Sequence, residues 1–237
     1  MERTTVHLMR HGEVHNPDGI LYGRLSGYRL SDRGRQMAAR VAEDLREGGH
    51  DVRAVVASPL LRAQQTAAAT AEAYGLEVAT DPRLIEAANH FEGLAVSADR
   101  RQLAHPRHWP AYLNPLRPSW GEPYRAQVRR VRDAVVAVLD KVAGGEAVLV
   151  SHQLPIWVTR RHLEGRPLWH DPRRRECSLA SLTSLTFVGR RLIAVGYREP
   201  AADLLVGARD TVPGTSPADL PATVTSAQPV PGEGATA

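Results

Sequence analysis

The sequence predicts an α/β domain, and three observations lead there. Short apolar runs of strand length alternate with longer segments whose apolar residues recur at helical spacing. Glycines and capping residues punctuate the joins between them. Three of the strand-like runs end directly on Arg, Ser or His, as expected where strands deliver functional loops to one rim of a sheet.

The first run, Thr5 to Met9, is bounded by Arg10-His11-Gly12. After a loop rich in Gly, Asn and Asp, Ser31 can N-cap a helix in which Met37, Val41 and Leu45 recur every fourth position beside Ala38 and Ala42. Gly48-Gly49 stops it. Val52 to Ala57 reads as a second strand, and Ser58-Pro59 opens an Ala-rich helix that closes at Gly75. From about Pro82 to Pro123, the prolines Pro106, Pro110, Pro115, Pro118 and Pro123 break any long helix and predict an irregular excursion that would form a pocket wall. Regularity returns with Val128, Val131, Val135, Val138 and Val142, a helical stripe closed by Gly144-Gly145. The strand Ala147 to Ser151 follows and ends at His152. Ser178 to Val188 and Arg191 to Tyr197, joined around Gly189, read as a closing hairpin.

Composition narrows the class. No stretch approaches the roughly 20 apolar residues of a membrane span, and Met1 leads into a strand-like run with no signal-peptide pattern, so a soluble, cytoplasmic protein is expected. The single cysteine, Cys177, excludes an internal disulfide framework and any Cys-pair zinc site, and reads as a small buried residue. A net charge of +4 raises the question of a nucleic-acid partner, but the arginines are scattered, with only Arg173, Arg174 and Arg175 in a run, so a solvated surface is the better reading. Residues 1–207 are expected to form one catalytic domain, and residues 208–237, rich in Pro, Gly, Thr and Ala and free of aromatics, a disordered tail.

The residues at the three strand ends suit phosphate. Arg10-His11, Ser58-Pro59-Leu60-Leu61-Arg62 and Ser151-His152 would bring two guanidinium forks and two imidazoles to one rim, with helix N-termini adding backbone donors. The set Leu8-Met9-Arg10-His11-Gly12-Glu13, Asn16, Leu30-Ser31 with Gly34 and Gln36, Ser58 to Ala63 with Thr66, Glu86, Glu92-Gly93 and Val150-Ser151-His152 resembles the histidine phosphatase superfamily and its phosphoglycerate mutase-like branch, over roughly residues 4–198.

That resemblance implies a three-layer sandwich, with a mostly parallel central sheet and helices on both faces. It also implies a histidine acid phosphatase-type phosphoric monoester hydrolase, independent of metal and cofactor, acting on a small phosphorylated metabolite. His11 would be the nucleophile that becomes phosphohistidine, Arg10, Arg62 and His152 the phosphate clamp, and Glu86 the general acid. A Glu86 kept protonated points to an optimum on the mildly acidic to neutral side. Asn16 would add a phosphate contact, and Tyr22 and Gly23 would line the substrate pocket. Gln153 stands where many relatives carry glycine. Familiar cofactor-dependent mutases carry a Glu-Arg-His-Tyr run at the acid; here Glu86-Ala87-Ala88-Asn89-His90-Phe91 stands there, which favours hydrolysis over mutase-type phosphoryl transfer.

Other residues keep plainer readings. Glu13 and Glu92 would either position an arginine or touch substrate, and a non-catalytic phospholigand-binding module ranks below an enzyme because His11 and Glu86 are both present. His105 and His108 lack a carboxylate or cysteine to complete a metal site and are expected in a surface loop. Trp109, Tyr112 and Trp120 are expected to pack the excursion. A homodimer through exposed apolar surface would be compatible with the chain, and no nucleic-acid or membrane partner is expected.

Overall fold

A computed structural model describes residues 2–95, 105–112 and 121–210. Its strands are β1 (Arg3–Arg10), β2 (Val52–Ala57), β3 (Val78–Thr80), β4 (Glu146–Ser151), β5 (Leu182–Val188) and β6 (Arg191–Arg198). They form one sheet in the order β3-β2-β4-β1-β5-β6. The pairings β3-β2, β2-β4 and β4-β1 are parallel, and β1-β5 and β5-β6 antiparallel. Four helices cover the sheet: α1 (Asp32–Glu47), α2 (Leu61–Tyr74), α3 (Tyr124–Leu139) and α4 (Gln153–Leu163).

The burial pattern explains the layering. The central strands β1 and β4 are buried along most of their length, which is why they read as near-continuous apolar runs. On one face Val6, Leu8 and Leu149 pack against Val131, Val135 and Val138 of α3 and Ile156 of α4. On the other, Met9, Val148 and Val150 pack against Met37, Val41 and Leu45 of α1 and Ala63, Ala67 and Ala71 of α2. Each fully buried Leu, Val or Met contributes about 1.5–3 kcal/mol by removal from water. The sandwich with helices on both faces is therefore what these two apolar clusters require.

The caps act as the sequence implies. The Ser31 hydroxyl accepts the Gly34 N–H at 2.9 Å to start α1, and Gly75, in the left-handed region at φ 64°, ends α2. A Cβ on Gly12 would lie 2.5 Å from the Gly34 carbonyl oxygen, so the pair of glycines lets the start of α1 pack directly on the loop after β1.

Strand β3 was not read from the sequence, and three further elements depart from expectation. Helix α4 was not read from the sequence, because a proline inside a helical segment ordinarily breaks it; Pro155 stands at the third helical position, where its missing N–H costs no intrahelical bond. The valine stripe stays helical only to Leu139, although Val142 remains buried in the turn beyond. Strand β5 begins at Leu182 rather than Ser178, because Ser178 to Ser181 form a turn closed by the Ser181 N–H on the Ser178 carbonyl at 3.1 Å. Ala180 sits in that turn at φ 55°, a left-handed conformation costing a non-glycine residue about 1–2 kcal/mol. The turn presents the Cys177 and Ser181 carbonyls to Arg10.

After β6 the chain turns at Ala202–Leu204 and lays Leu204, Leu205 and Ala208 against the α1 side of the core. Asp210 then reaches Arg10. Residues 208–210 of the expected tail 208–237 thus join the fold, and the remainder, 211–237, lies outside the described residues. Among the described residues, no helix is long and apolar enough to cross a membrane.

Candidate active site

Parallel pairing of β2, β4 and β1 puts their carboxyl ends at one edge. Arg10 lies opposite Ser151, and Ala57 opposite Val150, so His11, Ser58 and His152 emerge side by side. This topology assembles motifs far apart in sequence.

His11 is held on both backbone sides: its N–H donates to the Ser151 carbonyl at 3.2 Å, and its carbonyl accepts from Ala180 N–H at 3.3 Å. The ring is fixed as well. Nδ1 lies 2.8 Å from the Gly12 carbonyl oxygen, which can only accept, so Nδ1 carries the proton and Nε2 keeps its lone pair. Arg62 Nε donates to that Nε2 at 3.3 Å. Burial, followed by the charges of Arg62 and Arg10, holds the His11 pKa well below its ordinary value, so the imidazole is neutral near pH 7.

Arg62 and His152 are interlocked. The Arg62 Nη2 donates to the Gly23 carbonyl at 2.6 Å and lies 3.3 Å from His152 Nδ1, which must accept because a guanidinium cannot. His152 Nε2 therefore carries the proton and donates to Ser58 Oγ at 2.8 Å. Burial and the neighbouring Arg62 also keep His152 neutral. An arriving phosphate dianion would offset the arginine charge and favour a second proton on His152, turning its Nδ1 from acceptor to donor. Thr66 locks the same corner, accepting from Gly12 N–H at 3.1 Å and donating to the Arg62 carbonyl at 2.8 Å.

Arg10 completes the cationic wall. One arm donates to the Cys177 carbonyl at 2.7 Å, and Asp210 pairs with the guanidinium at 2.8 Å. Its Nε is buried without a partner. Burial alone would lower the Arg10 pKa, but the Asp210 carboxylate more than reverses that.

Glu86 follows the turn Pro82–Leu84 after β3, and burial raises its pKa against the opposing pull of Arg62 and Arg10. Burial thus shifts this carboxyl toward its protonated form, while the His11 imidazole is shifted toward its free base. Its backbone is clamped by a network: Arg24 Nε donates to the Glu86 carbonyl at 2.7 Å, and Arg24 and Arg130 share the Glu122 carboxylate.

The remaining predicted residues fall around this centre. Tyr22 is buried, with the Arg62 guanidinium 4.6 Å from its ring centre, and Gly23 holds Arg62 through its carbonyl. Asn16 directs its amide to its own loop, bonding both backbone groups of Ile20. Glu13 lies 3.8 Å from Arg33, and Glu92 accepts from the Asn89 N–H at 3.1 Å. Trp109 is exposed and His105 lies at the surface. His108, expected in a surface loop, is instead buried, edge-on to Phe91 and His90, in the 3-10 turn Pro106–Tyr112. The Tyr112 side chain and Trp120 lie outside the described residues.

Sequence reasoning did not single out three neighbours of the site. Ser58 orients His152, and its place at the head of the Ser-Pro motif was the available signal. Arg175 is buried against Gln153, hidden in a run of three arginines. Asp210 was placed in the tail. Away from this edge, His7, His50 and Glu146 bring ligand-type atoms within 4.8 Å of one another, and hydrogen bonds among themselves account for that grouping.

Known proteins resemble this chain in sequence and in fold. A protein of Mycobacterium tuberculosis, uncharacterized protein Rv0525, is 54% identical over 201 residues, covering 85% of this chain and 98% of its own length. A probable phosphoglycerate mutase GpmB of Yersinia enterocolitica is 34% identical over 187 residues, covering 74% of this chain and 82% of its own. The solved structure of mycobacterial glucosyl-3-phosphoglycerate phosphatase Rv2419c superposes with a TM-score of 0.61 at 27% identity, covering 78% of this chain and 90% of that one. The model of the histidine phosphatase superfamily (branch 1) matches residues 6–199, and the chain belongs to that superfamily.

Proposed function

We propose that this protein is a metal-independent phosphomonoesterase that hydrolyses a small phosphorylated metabolite through a phosphohistidine on His11. The observation that carries the reading is the fixed tautomer of His11: Nδ1 is tied to the Gly12 carbonyl at 2.8 Å, leaving a neutral Nε2 lone pair beside the Arg62 fork.

The chemistry follows from the groups present. Arg62, Arg10 and His152 draw in the phosphate dianion and stabilise charge on its equatorial oxygens. His11 Nε2 forms the P–N bond as the P–O bond to the leaving group breaks, and Glu86 gives its proton to the departing oxygen. The Glu86 carboxylate then takes a proton from water as that water attacks the phosphohistidine, releasing phosphate and restoring both groups. A solved neighbour that is named a phosphatase supports this reading. The single buried Cys177, with a pKa pushed up to about 11 by burial, is an inert thiol compatible with a cytoplasmic enzyme.

The test is phosphate release from a panel of phosphomonoesters with chelator present, alongside mass detection of a phosphorylated His11 peptide after acid-free quenching. Turnover that survives chelation and vanishes in His11→Ala is expected. Relatives named probable phosphoglycerate mutases favour a second reading, in which the phosphoryl group returns to a bound intermediate. Efficient isomerisation of 3-phosphoglycerate primed by the bisphosphate, with little phosphate released, would establish it.

A further inference from the structure

Beside the phosphoryl pocket lies a buried cation that the proposed reaction leaves unused. Arg175 is 8% exposed, and no carboxylate among the described residues pairs with it. Its acceptors are neutral. Nε donates to His170 Nε2 at 2.9 Å, and Nη1 to Gln153 Oε1 at 3.2 Å. His170 is uncharged near pH 7, its pKa lowered to about 4 by burial, and its other ring nitrogen donates to the Leu168 carbonyl at 2.8 Å. A guanidinium has five N–H donors, so two bonds leave three without a protein acceptor among the described residues.

A mostly buried guanidinium with no carboxylate partner is costly unless an anion or water completes it, and its unbonded Nη2 is the atom left accessible to one. Its surroundings also want an acceptor. Gln153 is buried, and its Nε2 has no hydrogen-bond partner. Gln153 opens α4, an 11-residue helix whose N-cap, His152, makes no side-chain cap. The first-turn N–H groups of that helix therefore add partial positive charge at the same place.

The position relative to the chemistry is set by the chain. Gln153 directly follows His152, and Arg175 is two residues before Cys177, whose carbonyl holds Arg10. The Arg175 Nη1 bond to Gln153 Oε1 at 3.2 Å ties its guanidinium to the residue that follows His152, beside the candidate site.

We propose that Arg175, the Gln153 amide and the open start of α4 form a second anion subsite adjoining the phosphoryl pocket, so that the substrate carries a second anionic group, a carboxylate or another phosphate. The proposal rests on the phosphatase reading for its first site, but its test does not depend on turnover.

The test is calorimetric binding to the His11→Ala protein, with and without Arg175→Met. Two matched pairs supply the probes: 3-phosphoglycerate against glycerol 3-phosphate for a carboxylate, and glucose 1,6-bisphosphate against glucose 6-phosphate for a second phosphate. The doubly anionic member of at least one pair is expected to bind about 10- to 100-fold more tightly, the scale of one or two charge-assisted hydrogen bonds. Arg175→Met should erase that preference and leave binding of inorganic phosphate unchanged, which also certifies the fold. Arg175→Lys, retaining charge without the fork, should keep part of it. No preference in either pair, a preference that survives Arg175→Met, or equal weakening of every ligand including phosphate overturns the subsite. Failure of the wild type to turn over any monoester would overturn the phosphatase reading instead, while the binding result stands by itself.

Discussion

Strand β1 leads into two histidine centres, four residues apart, that use the same side chain in opposite ways. His7 is compensated: one ring nitrogen meets Glu146 at 2.7 Å, the other Ser184 at 2.8 Å, and His50 adds a second bond to the same carboxylate at 2.8 Å. Burial alone would raise the Glu146 pKa, but the two histidine hydrogen bonds outweigh it and keep the carboxylate ionised. His11 has the reverse surroundings, two arginines and a second neutral imidazole. A finished hydrogen-bond network stabilises the fold and leaves nothing to bind. At the other centre Arg10 is paired with Asp210, whereas Arg62, beside the neutral base, has no carboxylate partner among the described residues and suits the dianion of the proposed reaction.

Substitutions should separate the two centres. His11→Ala is expected to lower kcat/KM by at least about 10^4, as for removal of a nucleophile, while folding stability measured in urea changes by less than about 1 kcal/mol. His7→Ala should do the opposite: a loss of about 2–3 kcal/mol, with activity per folded molecule within a few-fold of wild type. A His7 variant as inactive as the His11 variant would break the comparison.

Glu86→Gln comes next, with a loss in kcat of about 10^2 to 10^4 on alkyl phosphates. The loss should be far smaller on p-nitrophenyl phosphate, whose leaving group needs no proton. The wild-type profile should be bell-shaped. Its acid limb reflects protonation of His11, below the ordinary histidine value of 6.5, and its alkaline limb deprotonation of Glu86, above the ordinary 4.5. Glu86→Gln should remove the alkaline limb and leave the acid one.

The same groups set how stability varies with pH. His11 and His152 are depressed in the folded state, so below about pH 6.5 the unfolded chain takes up protons that the folded chain refuses. Stability should fall as pH drops from there, and urea titrations between pH 7 and 5 should give a shallower fall for His11→Ala. Glu86 acts with the other sign, its contribution being lost as pH rises through its raised pKa. At the compensated centre, Glu146→Gln should cost about 1.5–3 kcal/mol at pH 7 without changing kcat.

How much of this was readable in the sequence follows from what each feature depends on. Val52–Ala57 was legible to the residue, because a short apolar run between turn signals leaves no other solution. Arg10, His11, Arg62 and His152 were legible as one site because each stands at a strand or helix end, where spacing along the chain reports position in the sheet. Helix α4 was hidden by Pro155, whose harmlessness depends on how many residues precede it in the helix. The environment of Arg175 was unreadable for a different reason. Its partners, Gln153 and His170, belong to two separate segments, and nothing in a run of three arginines tells which one turns inward.

The smallest expected effect concerns Asp210, which joins the fold at the end of the described chain. Its carboxylate lies 2.8 Å from Arg10 and is about a quarter exposed, so it sits on a cation that the proposed reaction also uses. A pair of this kind contributes about 0.5–1 kcal/mol, because water screens the exposed partner. If the carboxylate competes with phosphate, Asp210→Asn should tighten KM and the inhibition constant of inorganic phosphate by about two- to fivefold, the same energy expressed as a ratio, with kcat unchanged. A weaker KM would mean that Asp210 holds Arg10 in its binding position, as Glu146 holds His7. The catalytic edge would then contain one compensated cation, and the contrast between the two centres would narrow to Arg62 alone.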